Sequence, residues 1–208
     1  VNDVFAGLRR SIVGAEPRRP ADFDRRPRGE RSAAVLLLLS DEPDPSLTVL
    51  RRASTLRFHA GQVALPGGRV DETDAGPVET ALREAREEVG LESVGVDVLG
   101  TLPALWVPAS NYDVTPVVGV WPGGPLRPVD PAETASVHQH RVSELASAAV
   151  RATAVHPLGY RGPAFVLPDI FIWGLTAHLI DWMLDLGEWT QPWDRAREVP
   201  IPRDYLRD

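Results

Sequence analysis

Residues 65–91 read LPGGRVDETDAGPVETALREAREEVGL, and the fold turns on how this stretch is read. Pro77 suits the first turn of a helix and Gly90 suits its C-terminal cap. At the helical step of about 100° per residue, Val78, Ala81, Leu82, Ala85 and Val89 gather on one arc, which is the core face. Glu84, Glu87 and Glu88 gather on a second arc beside it. That face opposes two local preferences. Glu84 and Glu88 are like charges at i, i+4, and Glu87 and Glu88 occupy a last turn where the helix dipole favours cations. Arg83 offsets part of this by reaching Glu87.

Two readings fit such a face. One is an ordinary solvated surface laced with ion pairs. The other is a divalent-cation site, since clustered carboxylate oxygens are what a hard ion such as Mg²⁺ or Mn²⁺ prefers. The second gains from what lies upstream. Leu65–Gly68 ends a strand in a turn whose backbone can approach a ligand closely. The loop Arg69–Pro77 then leads into the acidic helix, so strand, glycine turn, loop and helix form one unit.

Outward from this unit the chain reads as strands and helices without regular alternation. Ala33–Ser40 is an apolar run of strand length, and Ser46–Ala53 completes a hairpin with it. Gly61–Gly68 is a short strand, and Val94–Leu105 and Asp113–Trp121 are further strands. Val142–Val150 reads as a short helix, and Pro168–Leu186 as a long apolar helix followed by Gly187. Val4, Leu8 and Ile12 have helical spacing near the N-terminus. This mixture predicts an α+β domain with a mixed sheet. The boundaries expected are residues 1–32 for an N-terminal helix and Arg/Pro-rich linker, 33–190 for the main domain, and 191–208 for a tail packed on it.

The 208 residues suffice for one domain with a sizeable core. A net charge of −7 disfavours a protein that grips nucleic acid through its phosphates. Pro17–Arg31 is Arg-rich, but Asp22, Asp24 and Glu30 interrupt it, and it reads as a solvated connector. The absence of cysteine excludes disulfides and thiolate metal sites. No apolar run reaches the length of about 18 residues that a membrane span requires, and no leader pattern opens the chain; a cytoplasmic location is the expectation. His138 and His140 stand two apart, as in a strand, with no third ligand nearby in sequence. Trp173 and Trp182 read as core or homodimer contacts rather than as a ligand box.

The stretch resembles the Nudix hydrolase family, whose pattern is G-x5-E-x7-R-E-U-x-E-E-x-G-U with U aliphatic. Arg83-Glu84-Ala85-Arg86-Glu87-Glu88-Val89-Gly90-Leu91 matches the second half. The first half departs: counting back, the glycine position falls on Arg69 and the glutamate position on Ala75. Gly68 fits with one extra loop residue, and Asp74 then stands nearest the missing glutamate. The coenzyme A pyrophosphatase branch has this form, PGG-x-x-D-x-x-D before TALREA. It also carries L-L-T-x-R-[SA]-x3-R-x3-G-x3-F-P-G-G upstream. Here Arg52-Ala53, Arg57, Gly61 and Leu65-Pro66-Gly67-Gly68 keep that spacing, while Thr48-Val49-Leu50 and Leu65 depart from it. Val114–Gly119, Asp130–Thr134 and Ile172–Ala177 also look like the branch, so the resemblance runs over about residues 33–186.

The resemblance implies an α/β/α sandwich and a metal-dependent hydrolase of a nucleoside diphosphate linked to another group. It implies that Glu84, Glu87, Glu88 and the Gly68 carbonyl hold Mg²⁺ or Mn²⁺. Glu133, in a later loop, is a candidate general base, or else a surface acid capping a turn. Arg52 and Arg57 are candidate phosphate ligands, with paired arginines on a strand rim as the alternative. Arg83 either binds substrate or orients a glutamate and the glycine loop. The implied substrate is coenzyme A or its thioesters, cleaved to 3′,5′-ADP and 4′-phosphopantetheine. Alternatives are another diphosphate substrate, or a binding module that senses a nucleotide without hydrolysing it. The three retained glutamates speak against the last.

Overall fold

The computed structural model describes residues 3–16, 31–108 and 110–206. Most of the Arg/Pro-rich connector, residues 17–30, lies outside the described residues. Strand β1, Ser32–Ser40, runs through the centre of an eight-stranded mixed sheet. It pairs in parallel with β7, Tyr112–Trp121, along its whole length, from Ser32 opposite Asp113 to Ser40 opposite Trp121. Its other edge is shared. β2, Ser46–Arg52, meets it only near the hairpin turn, with Leu39 opposite Leu47. β4, Gly67–Arg69, pairs with its first half, placing Gly68 opposite Ala34. The expected hairpin is therefore real but splayed, and the glycine turn enters the gap.

The expected strand over Gly61–Gly68 is split. β3, Val63–Ala64, pairs with β2, and β4 pairs with β1. Pro66, which has no N–H for a ladder, sits at the break, and its carbonyl accepts from Leu36 N–H at 2.7 Å. Likewise Val94–Leu105 becomes β5, Asp97–Thr101, and β6, Leu105–Val107, with Pro103 between. β8, Thr134–Arg141, pairs antiparallel with β2.

Both faces of this sheet are covered, which is why β1 reads as a continuous apolar run. Ala34, Leu36 and Leu38 face helix α2, Pro77–Val89, and meet its buried Ala81, Ala85 and Val89. Leu37 and Leu39 face the larger core, shared with α1, Ala6–Val13, and α4, Gly174–Leu186. The Leu8 and Ile12 spacing read from the sequence is the buried stripe of α1. A mixed sheet between helices is the α+β, Nudix-type α/β/α arrangement expected.

Two expectations need correction at the C-terminal side. The apolar run from Pro168 is not helical until Gly174. Phe171–Ile172 forms β11 instead, and Gly174, at φ +65°, turns the chain into α4. The helix over Val142–Val150 also ends early, as α3, Val142–Ala146. After it comes a second, four-stranded sheet that the sequence reading lacked. β9, Arg151–Val155, pairs with β10, Arg161–Val166, which pairs with β11. The tail contributes β12, Glu198–Pro200, parallel to β9. Trp182 lies in the large core, and Trp173 stacks with His156 at 5.8 Å between ring centroids. Among the described residues no helix is long and apolar enough to cross a membrane.

Candidate active site

Helix α2 is fixed at both ends by local chemistry. Pro77 occupies its first turn, and Gly90 closes it in the left-handed conformation at φ +70°. The Gly90 N–H reaches the Arg86 carbonyl at 3.2 Å and the Leu91 N–H reaches Ala85 at 3.3 Å, the pattern of a glycine C-cap. The last carbonyls are also used by the long loop after β7. Arg127 N–H donates to Val89 O and Val129 N–H to Glu88 O. These bonds bring the following residues, including Glu133, to the acidic end of α2.

The glycine turn lies directly against the acidic face. A Cβ at Gly68 would stand 2.5 Å from the Glu84 carboxylate, and one at Gly67 would stand 2.3 Å from the Ala34 carbonyl. Neither position has room for a side chain. Gly67 N–H donates to Glu88 Oε2 at 2.9 Å. Glu84 and Glu88 are thereby held on two sides of one turn, with the Gly68 backbone between them.

Arg83 is the hub of the loop. Nε and Nη2 donate to Asp74 Oδ1 and Oδ2, both at 3.0 Å, in a two-pronged grip. Nη2 also reaches the Arg69 carbonyl at 3.0 Å, while Nη1 reaches Glu84 at 2.9 Å and Glu87 at 3.3 Å. All five N–H groups of Arg83 thus meet protein acceptors, which leaves none for a substrate and fits the orienting role. Asp74 takes the remaining tension of the loop: it accepts from Thr80 Oγ1 at 2.8 Å and from Asp71 N–H at 2.9 Å. Its side chain is 3% exposed, and the Arg83 guanidinium holds its carboxyl well below the usual carboxylate range. Asp74 thereby ties the loop to helix α2 through Arg83 and Thr80. The signal available in sequence was the D-x-x-D spacing ahead of the helix; its partner was not legible.

The acids feel one another. Burial pushes the Glu88 carboxyl up to about 7, against the Gly67 hydrogen bond, and the charges of Glu84 and Glu133 add to the rise while that of Arg52 opposes it. Burial also raises Glu84, with Arg83 opposing. The Glu87 side chain is 54% exposed. Glu88 therefore has Glu84, Arg52 and Glu133 within electrostatic reach, which gathers residues from α2, β2 and the loop before β8. Asp130, not Glu133, caps the turn there, accepting from Ala132 N–H at 2.8 Å. Arg52 stands at a bulge where β2 pairs with Thr134 of β8. Its Nε is buried and finds no acceptor among the described residues. Arg57 is placed differently: it lies on the exposed loop after β2, over the Phe58 ring at 5.3 Å.

The donor set of Glu84, Glu87, Glu88 and the Gly68 carbonyl is all oxygen and rich in negative charge, which fits a hard divalent cation. Arg83 bridges Glu84 and Glu87, at 2.9 and 3.3 Å. Exposed Glu87 has the freedom to swing inward.

A mixed sheet between helices, with an acid-faced helix closed on a glycine turn, defines a hydrolase of the Nudix class. A NUDIX domain model matches residues 30–158. The chain is 40% identical over 167 residues to an "Uncharacterized Nudix hydrolase NudL" of Cronobacter sakazakii (strain ATCC BAA-894), covering 76% of this chain and 84% of that protein. It is 41% identical over 157 residues to the protein of the same name from Photorhabdus laumondii subsp. laumondii, covering 72% and 81%. Among solved structures, a Nudix hydrolase from M. smegmatis, RenU, aligns with a TM-score of 0.54 at 18% identity, over 79% of this chain and 89% of that one. The chain belongs to the Nudix family and is a Nudix hydrolase.

Proposed function

We propose that this hydrolase is a Mg²⁺- or Mn²⁺-dependent pyrophosphohydrolase of coenzyme A or its thioesters, yielding 3′,5′-ADP and 4′-phosphopantetheine or its acyl form. The observation that carries the proposal is Arg52. A guanidinium whose buried Nε has no partner among the described residues acts, like Glu133, on the Glu88 charge, where a diphosphate would lie. It heads the spaced series Arg52-Ala53, Arg57, Gly61, Leu65–Gly68. The departures from the branch pattern fall in the core rather than the site. Thr48, Val49 and Leu50 are at most 1% exposed, and Leu65 is 4% exposed. Exchanges there alter packing and leave the surface that meets substrate unchanged.

In this reading Glu84, Glu87, Glu88 and the Gly68 carbonyl hold the cations. When bound, the cations neutralise the diphosphate and activate the attacking water. Glu133 takes the proton from that water. Arg52 binds a phosphate oxygen, Arg57 reaches the outer phosphate from the exposed loop, and Arg83 positions Glu84, Glu87 and the loop without touching substrate. Catalysis is then placement and charge stabilisation on rigid elements.

The test compares coenzyme A with dephospho-coenzyme A for wild type, Arg52→Ala and Arg57→Ala. A charge-assisted contact to the 3′-phosphate contributes about 1.5–3 kcal/mol, or roughly ten- to a hundredfold in kcat/KM. One of the two variants should lose that factor on coenzyme A alone. Equal losses on both substrates would assign the arginines to the diphosphate or the fold. A wild type that ignores coenzyme A and turns over another nucleoside diphosphate would refute the substrate and leave the metal chemistry standing.

A further inference from the structure

A second cluster of metal-ligating side chains lies elsewhere in the molecule. His138 and His140 stand on β8, and Asp169 in the turn before β11; one ligand atom from each lies within 4.8 Å of the other two. His138 and His140 are opposite Val49 and Leu47 of β2, which belong to the large core on the α1 and α4 side. Val137, the residue before His138, is opposite Leu50 and packs on the α2 side. The histidines thus face away from the glutamates. At the rise of a strand they are about 13 and 20 Å along β8 from Thr134, beside the active site.

The hydrogen bonds orient both rings as ligands. His138 Nδ1 is 2.6 Å from Asp169 Oδ2, and its Nε2 is 2.7 Å from Ser136 Oγ. His140 Nδ1 is 3.0 Å from Glu144 Oε2. Its Nε2 is buried without a hydrogen-bond partner among the described residues, and the nearest carboxylate oxygen, Asp169 Oδ1, is 3.6 Å away. His140 is only 8% exposed, so water does not readily serve that nitrogen. If the proton of His140 sits on Nδ1 and bonds to Glu144, Nε2 is a bare lone pair aimed at Asp169. In the metal-free protein His138 Nδ1–H donates to Asp169 Oδ2; a bound cation would take the place of that proton, and His138 Nε2–H would then donate to Ser136 Oγ. Each ring then has the outer partner that metal-bound histidines characteristically have.

We propose that His138 Nδ1, His140 Nε2 and Asp169 form a second divalent-cation site, suited to a borderline ion such as Zn²⁺ rather than to Mg²⁺. Two imidazoles and a carboxylate are its ligand set, and three protein ligands leave one coordination position open. Bond lengths near 2.0–2.2 Å require donor atoms about 3.4 Å apart, so atoms that lie within 4.8 Å of one another must close by at most about 1.4 Å. Asp169, half exposed in a turn, already reaches both rings, at 2.6 Å from His138 Nδ1 and 3.6 Å from His140 Nε2, and rotation of the two imidazoles closes what remains between them. The ion would clamp β8 of the first sheet to the turn that begins β11 of the second. It stands independently of the diphosphate chemistry.

Zn²⁺ titration of the cation-stripped full chain in excess Mg²⁺, followed by calorimetry, tests this. Wild type should show a zinc event of micromolar affinity or tighter. Asp169→Asn and His138→Gln, which both keep hydrogen-bonding groups at accessible positions, should weaken it by about tenfold or more, and Glu87→Gln should leave it unchanged. Zinc should raise the melting temperature of wild type and of Glu87→Gln, but not of Asp169→Asn. Zinc binding that survives in Asp169→Asn and His138→Gln, or that disappears with Glu87→Gln, would overturn the site; so would no zinc event in wild type.

Discussion

Replacing Glu88 by Gln removes a buried charge while keeping an acceptor for the Gly67 N–H. The Glu88 carboxyl is held at about 7 against an ordinary 4.5. Folded protein therefore keeps a proton that the unfolded chain has released between those values. More protons bound in the folded state means that stability falls as pH rises through that window, and stays level above it. The corresponding free energy is roughly 3 kcal/mol at 1.36 kcal/mol per pKa unit. Without cation, the Gln variant should thus be about 1–3 kcal/mol more stable than wild type near pH 8, or about 2–10 °C higher in Tm for a chain of this size. Near pH 5, where wild-type Glu88 is mostly protonated, the two should melt within about a degree of each other. The assay is thermal unfolding of EDTA-treated protein at both pH values. A variant that is destabilised near pH 8, or that differs from wild type equally at both pH values, would refute the reasoning.

Other substitutions test the wiring around that acid. Gly68→Ala drives a methyl group into the Glu84 carboxylate; kcat/KM should fall at least about tenfold while far-ultraviolet circular dichroism stays the same. Arg83→Lys keeps a charge but loses the fork that grips Asp74, Glu84 and the Arg69 carbonyl at once. It should cost about 1–3 kcal/mol in urea unfolding and lower kcat more than it raises KM. Arg151, fully buried between the Phe165 and Trp193 rings, is paired with Asp181. Asp181→Ala strands that charge and should cost about 3–5 kcal/mol, whereas Arg151→Met with Asp181→Leu should recover most of it; calorimetric unfolding distinguishes the two.

What was legible in the sequence was what local periodicity determines. The stripe of Ala81, Ala85 and Val89, the acids beside it and the caps at Pro77 and Gly90 all follow from a 3.6-residue repeat and from backbone needs within a few residues. Strand β1 was legible as a run buried on both faces. The second sheet was not. Its strands are short, and β12 gains its partner only because the tail returns across about forty residues to β9. The start of α4 was misread because an apolar run carries no mark of where strand becomes helix, and Gly174 was the only hint. In the candidate site, the acidic helix was readable but its supports were not: Asp74 is nine residues from Arg83, and Glu133 reaches Glu88 only through the loop that binds the end of α2. The His138, His140 and Asp169 cluster was invisible for the same reason, since Asp169 is 31 residues from His138.

The central claim is that the acidic face of α2 holds the cations that drive diphosphate hydrolysis. The most direct measurement is product release from a panel of diphosphate compounds, coenzyme A among them, by wild type and Glu87→Gln, with Mg²⁺ or Mn²⁺ and with EDTA. Exposed Glu87 shares Arg83 with Asp74 and Glu84, and a pair this exposed adds little to the fold. Wild type should turn over at least one compound only when cation is present, and Glu87→Gln should do so about a hundredfold more slowly or worse with an unchanged Tm. Full activity in EDTA, or near-normal turnover by Glu87→Gln, would contradict the account.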